Sequence, residues 1–310
     1  MPKRKAIRGG GAKTLGGFTV AFLTGLAVGG VVTFVLLRAP LAPQAPTSQT
    51  AVAPSENVPT PKRRPKIAAL PASRNVAVIG KKPAIAIVID DLGNDAQATR
   101  QAIALPRAVT LSFLPYPDST PELAREAVRA GHQVLVHVPM EPEGSDDPGP
   151  MALRTDLTAP EIVRRLDWDF ARVPGFAGIN NHMGSKFTAD AAALTPVIQE
   201  LSRRHVFFFD SRTTAQSQVV ELARRFGVPS AARDVFLDDA NSQTTVDGQL
   251  ALLERRAYQE GSAIGIGHPH PETLAALKAW FEGAAVQGFA LVPLGAAIAI
   301  KLRPQMVNSE

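Results

Sequence analysis

An α/β domain built on a largely parallel sheet, curled into a closed or nearly closed barrel, is the fold the sequence predicts. Beyond residue 83, short apolar runs alternate with amphipathic helical stretches, the mark of repeated βα units. Asp, His and Asn recur at the C-terminal ends of those runs, where barrels of this build gather their chemistry. Charge separates the domain from what precedes it. Through Lys82 there are 13 Lys and Arg against one acid, Glu56; the rest holds 20 basic and 27 acidic residues, a net charge of −7. The overall charge of +5 therefore belongs to the N-terminal arm. A nucleic-acid partner is set aside, because phosphate binding needs a positive surface on the folded part.

Residues 1–14 form a basic tail carrying Lys3, Arg4, Lys5, Arg8 and Lys13. Leu15 to Leu37 follows, 23 residues without a charge. At about 1.5 Å per residue it is long enough to cross a hydrocarbon core of roughly 30 Å, and it is predicted as a transmembrane helix. The positive flank places the N-terminus in the cytoplasm, the anchor in the inner (cytoplasmic) membrane and the domain in the periplasm or outside. The alternative is a cleaved signal peptide, whose apolar region of about 7–15 residues ends in small residues, whereas Arg38 closes this one. Residues 38–82 are rich in Pro, Ala and Thr, a semi-rigid linker whose cluster Lys62, Arg63, Arg64 and Lys66 reads as a solvated charge run. Residues 83–304 are the domain.

Its predicted strands are AIAIVID (84–90), AVTLSF (108–113), QVLVH (133–137), FAGIN (176–180), VFFFD (206–210), DVFLD (234–238), AIGIG (263–267) and FALVPL (289–294). Helix starts show at Ser119 with Glu122 and at Thr158 with Glu161, both at capping-box spacing, with Pro121 and Pro160 in the first turn. The Phe207-Phe208-Phe209 run reads as core, since a parallel strand is covered on both faces. His132 and His205 precede strands and fall at the end away from the chemistry.

The strand ends carry Asp90 and Asp91, His137, Asn180 with Asn181 and His182, Asp210, Asp238 with Asp239, and His268 with His270. Charged residues are rarely buried unless paired or bound to metal, so one convergent pocket accounts for the set. The chain has no cysteine, which excludes disulfides and thiolate metal sites. A mixed His and carboxylate set suits a divalent metal: zinc first, with manganese, cobalt and iron also compatible. Such an ion keeps an open position and makes hydroxide available near neutral pH, and a second carboxylate then serves as general base. The pair Asp90-Asp91 supplies both roles if the strand end twists.

Segments in this order resemble the NodB-type polysaccharide deacetylases, and most of all their divergent branch: IAIVIDDLGND, AGHQVLVHVPMEP, NNHMGS, FFFDSRT, IGIGHPHP and QGFALVPLGAAI. The resemblance implies the family's distorted (β/α) barrel. It implies Asp90 as general base, Asp91 and His137 as metal ligands, and His268 as the acid that protonates the leaving amine. The match breaks at the third ligand, where Glu141 stands in place of a second histidine; His182, from the next strand, is the preferred ligand and Glu141 the alternative. Asn181 and Ser185 are expected to orient ligands or contact sugar hydroxyls. Asp210 with Arg212 resembles the family's buried charge pair that tunes the base, or forms a structural salt bridge. The implied activity is metal-dependent deacetylation of an envelope glycan such as peptidoglycan. The rival is a domain that has kept the fold, lost the activity and binds glycan or serves as an envelope scaffold.

Overall fold

The computed structural model describes residues 82–238, 243–283 and 288–307. The predicted tail, anchor and nearly all of the linker lie outside these residues, as does Asp239. No helix among the described residues is long and apolar enough to cross a membrane.

Nine strands are described: β1 (Ala84–Leu92), β2 (Thr110–Phe113), β3 (Val134–Met140), β4 (Gly178–Met183), β5 (Phe207–Asp210), β6 (Ser230–Ala232), β7 (Val235–Phe236), β8 (Ser262–Gly267) and β9 (Ala290–Leu291). The helices are α1 (Ala96–Ile103), α2 (Thr120–Ala130), α3 (Ala159–Arg172), α4 (Ala191–Arg204), α5 (Val219–Arg225), α6 (Gln243–Glu260), α7 (Pro271–Glu282) and α8 (Leu294–Val307). Strand order is β6-β5-β4-β3-β2-β1-β8-β7, with β9 beside the start of β1. Every ladder is parallel.

The two edge strands explain the curl. Only Arg233 and Asp234 separate β6 from β7, so one extended segment pairs with β5 through its first half and with β8 through its second. The sheet must bend round until its edges nearly meet. No ladder joins β6 to β7 among the described residues, so the predicted barrel is a curled sheet open at that seam. The predicted strand 234–238 is the second half of this segment. The last predicted strand, 289–294, keeps only two paired residues before α8 begins.

Side-chain alternation sorts the core into two layers. Ile85, Ile87 and Ile89 face the helices, whereas Ala84, Ala86 and Val88 face the inside of the curl. Phe208 packs outward, and Phe207 and Phe209 pack inward, all three fully buried as expected. The inner layer is closed by α8 against β1, β6 and β8. The same parity carries on to the strand ends. It aims Asp90, Ser112, His137, Asn180 and His182 inward at the C-terminal mouth, and this is how the fold positions a site.

The helices start where the sequence predicts, but with different caps. Neither Ser119 nor Thr158 caps through its side chain. The Ser119 hydroxyl donates instead to the Gly93 carbonyl at 2.6 Å, and side-chain caps come from Asp95 on α1 and Asp190 on α4.

Candidate metal centre

Parity alone would turn Asp91 away from Asp90, towards the helices. Its backbone prevents this: φ is 57°, and the β1–β2 register shifts between Ile89 and Leu92. A left-handed residue at a bulge re-aims its side chain, and Asp tolerates that conformation better than most residues. Both carboxylates thereby reach the mouth. A comparable turn ends β4, where Met183 and Gly184 have φ of 51° and 87°. A Cβ on Gly184 would lie 2.8 Å from the Met140 Cβ, so only glycine fits beside the strand that carries His137.

Asn180 settles the proton positions. Its neighbour Asp90 can only accept when ionised, so the amide nitrogen faces it, donating to both carboxylate oxygens at 2.9 and 3.0 Å. The amide oxygen therefore faces His137 Nδ1 at 2.9 Å, which must carry the hydrogen, and also accepts from the Ser112 hydroxyl. In the neutral ring His137 Nε2 is then left with a lone pair. That lone pair lies 3.2 Å from Asp91 Oδ1, and His182 Nδ1 lies 2.9 Å from the same oxygen. Yet Asp91 Oδ1 is buried without a hydrogen-bond partner. Asp91, His137 and His182 offer ligand atoms that all lie within 4.8 Å of one another. Three such ligand atoms converging on one point, one of them an oxygen with no hydrogen-bond partner, fit a divalent cation. Burial opposes ionisation of Asp91, but its two imidazole neighbours outweigh it and hold the carboxyl well below the usual range. Burial also dominates at Asp90 and pushes its carboxyl up, against the opposing charges of His137 and His268.

On the other side of the mouth, His268 follows β8. Its Nδ1 lies 3.0 Å from Asp238 Oδ1, while Asp238 Oδ2 accepts from the His268 backbone N–H at 2.6 Å and from the Thr273 hydroxyl at 2.8 Å. Burial favours the neutral ring, but the Asp238 bond and the charges of Asp91 and Asp90 raise the imidazole to about 9. Nε2 faces Asp91 Oδ2 at 3.9 Å. A cavity of about 460 Å³ opens here, lined by Asp91, Asn94, His268 and His270 among others.

The model of the divergent polysaccharide deacetylase family matches residues 87–298, which takes in every residue of this mouth. The chain belongs to that family. It is 37% identical over 211 residues to the uncharacterized protein YibQ of Escherichia coli, covering 68% of this chain and 65% of that one, so the match spans just under two thirds of that relative. An uncharacterized protein of Haemophilus influenzae is 35% identical over 63% of this chain and 70% of its own length. Among solved structures, an uncharacterized protein from Agrobacterium tumefaciens C58 superposes with a TM-score of 0.67 at 32% identity, covering 69% of this chain and 89% of that one.

Most of the remaining expected residues brace the loops around the mouth. Glu141, the alternative ligand, turns away from the mouth. Its Oε2 accepts from the Thr155 backbone and hydroxyl at 2.7 and 2.8 Å, and its Oε1 from Lys186 Nζ at 2.7 Å. It clamps the loop after β3 to the turn after β4, and these donors hold its carboxyl at about 2 despite burial. Ser185 belongs to the same clamp, accepting from the Glu143 backbone at 2.7 Å. Asn181, on the opposite parity from Asn180, accepts from the Ser211 backbone and donates to the Met183 carbonyl, joining the loops after β4 and β5. Asp210 accepts from the Arg212 backbone N–H and the Ser217 hydroxyl, so it shapes the loop after β5. The resemblance paired it with the Arg212 side chain; no such ion pair occurs among the described residues. His132 bridges the Val109 and Ile103 carbonyls at the far end, and His205 caps α4.

Ser112 and the roles of Asn180 and Asp238 escaped the sequence reading. A signal was there: Asn180 lies two residues before His182 on one strand, hence on the same face, and pairs directly with His137 in the ladder.

Proposed function

We propose that the protein is a metal-dependent hydrolase that removes N-acetyl, or in second place O-acetyl, groups from an envelope polysaccharide such as peptidoglycan. The observation that carries this reading is the orphaned Asp91 Oδ1 between two imidazole nitrogens, with Asp90 on one side and His268 on the other.

A divalent ion, zinc by the donor set, would be held by Asp91, His137 and His182, and would supply Lewis acidity towards the acetyl carbonyl and the attacking water. Asp90 takes the proton from that water; burial raises its basicity, and Asn180 holds both its oxygens in place. His268 gives a proton from Nε2 to the leaving amine, while Asp238 orients the ring through Nδ1 and balances the imidazolium. Water adds across the amide bond, and the products are acetate and the free amine.

The segment Leu15–Leu37 and its linker fit this function. An enzyme anchored in the inner membrane, with its domain outside the cytoplasm, reaches a polymer that does not diffuse.

The test is metal content and acetate release from peptidoglycan for the full chain beside Asp91→Ala, His137→Ala and His182→Ala. After dialysis against metal-free buffer, about one tightly held equivalent is expected in the wild type and none in the variants. Loss of the ion's catalytic contribution should lower kcat/KM by about 10³-fold or more. A wild type that holds no ion and releases no acetate, yet binds glycan as well as its variants do, would establish the glycan-binding scaffold instead.

A further inference from the structure

We propose a second divalent-cation site across the mouth, formed by Asp238, His268 and His270, which takes up a cation weakly and by doing so withdraws His268 from proton transfer. The three residues offer ligand atoms that all lie within 4.8 Å of one another, one carboxylate oxygen and two imidazole nitrogens. That donor set matches the first site in kind.

The two sites differ in what holds them. Asp238 is buried and fixed by Thr273 and the His268 backbone. His270 begins the turn into α7, its side chain caps nothing, and neither of its ring nitrogens has a hydrogen-bond partner among the described residues. Its ring lies 5.7 Å from that of His268, centroid to centroid, and both line the 460 Å³ cavity, so a cation can reach them from solvent. His270 has no role in the reaction described above, which leaves its nitrogens available.

Occupation must compete with a proton. His268 Nδ1 shares a hydrogen with Asp238 Oδ1 at 3.0 Å, and a cation at Nδ1 displaces it, releasing that proton to solvent. A cation at Nε2 takes the atom that would protonate the amine. In the second case the general acid is lost; in the first the ring is no longer an imidazolium, and its remaining Nε2–H is a far weaker acid. This competition, together with the unbraced His270 ring, makes the second site weaker than the first, whose His137 ring is locked by Asn180. Inhibition by excess metal follows if the reading under Proposed function holds; the binding itself does not depend on it.

The experiment is equilibrium dialysis of the full chain against graded zinc chloride, with elemental analysis of wild type, His270→Ala and His182→Ala. Wild type should reach about two equivalents, the second at higher zinc, while His270→Ala stops at one and His182→Ala keeps the weak one. Because the His270 side chain makes no cap, its removal leaves the fold intact. A wild type that saturates at one equivalent, lost in His182→Ala, overturns this site and leaves the first standing. A second equivalent that survives His270→Ala also overturns it. One equivalent that survives His182→Ala and vanishes in His270→Ala supports this site and removes the first. Where acetate release is measurable, zinc beyond the first equivalent should inhibit wild type at least about tenfold more than His270→Ala.

Discussion

Two carboxylate and imidazole groups face each other across one mouth, and hydrogen separates their roles. At Asp91 the oxygen nearest the imidazoles is buried with no hydrogen-bond partner, and Asn180 turns the Nδ1–H of His137 away from it. At Asp238 each oxygen receives a hydrogen, from the His268 ring, the His268 backbone or Thr273. The same residue types therefore make a cavity for a cation on one side and a store for a proton on the other. The ring's second nitrogen is what to look for: its partner sets the tautomer, and the tautomer sets the ligand.

Breaking the proton side should cost most in turnover. Asp238→Asn is nearly isosteric, but its amide nitrogen cannot accept from His268 Nδ1, so the ring loses both its orientation and the charge that stabilises its protonated form. A fall in kcat of about 10² to 10⁴ is expected, with the tightly held metal retained. Steady-state kinetics beside metal analysis tests this, and loss of the ion in this variant would contradict the division of labour.

Breaking the cation side from behind should cost less. Asn180→Ala removes the acceptor for His137 Nδ1–H and both donors to Asp90 without touching a proposed ligand. Metal affinity should fall about 10- to 100-fold, read by competition with a chelator of known strength. Unchanged affinity would mean that packing alone sets the ring.

How much of this was legible follows from the same residues. The βα alternation and the polar strand ends are local patterns, so the strands could be read directly; the strand ends offered Asp90, Asp91, His137, His182 and His268 among other polar residues, and the family resemblance singled them out. The first half of the shared β6–β7 segment could not: three residues after Pro229 carry too little pattern, and the two halves pair with strands far apart in sequence. Nor could the left-handed turn at Asp91, which decides whether two adjacent carboxylates reach one pocket. The role of Asn180 was hidden for another reason. Asn is common at strand ends as a turn residue, and only parity with His182 marks it as facing inward. Glu141 occupied the right sequence position for a ligand and the wrong position in space, because Lys186 and Thr155 were available to satisfy it.

Glu141 extends the comparison to a carboxylate with every need met by hydrogen donors. Its carboxyl sits at about 2 in the folded chain against 4.5 unfolded. A depressed carboxyl contributes stability above the unfolded value and loses it as pH falls through the folded one. Glu141→Gln should therefore be less stable than wild type by about 1–3 kcal/mol at pH 7, and the gap should close between about pH 4.5 and 2. Urea denaturation at several pH values reads this directly. A gap constant across that range would show that the clamp works by shape and not by charge.

Asp169 on α3 sharpens the contrast between a carboxylate that needs a metal and one that needs a proton. It is fully buried, neither of its oxygens finds a partner and no imidazole faces it, whereas Asp91 is half-buried with one such oxygen. Burial raises its carboxyl well above 3.8, with only Arg165 opposing. The sign is opposite to that at Glu141. A raised carboxyl gives its full contribution below the unfolded value, and stability is lost as pH rises towards the folded one. Asp169→Asn removes the ionisable group while keeping the shape, so the variant should match wild type within about 0.5 kcal/mol near pH 3 and exceed it by about 1 kcal/mol at pH 8. Thermal melts at the two pH values decide it. A variant less stable at pH 8 would mean that the Arg165 charge outweighs burial and that Asp169 is ionised in the fold. An orphaned oxygen would then not suffice to distinguish the two kinds of site, and the case for a cation at Asp91 would rest on its imidazole neighbours alone.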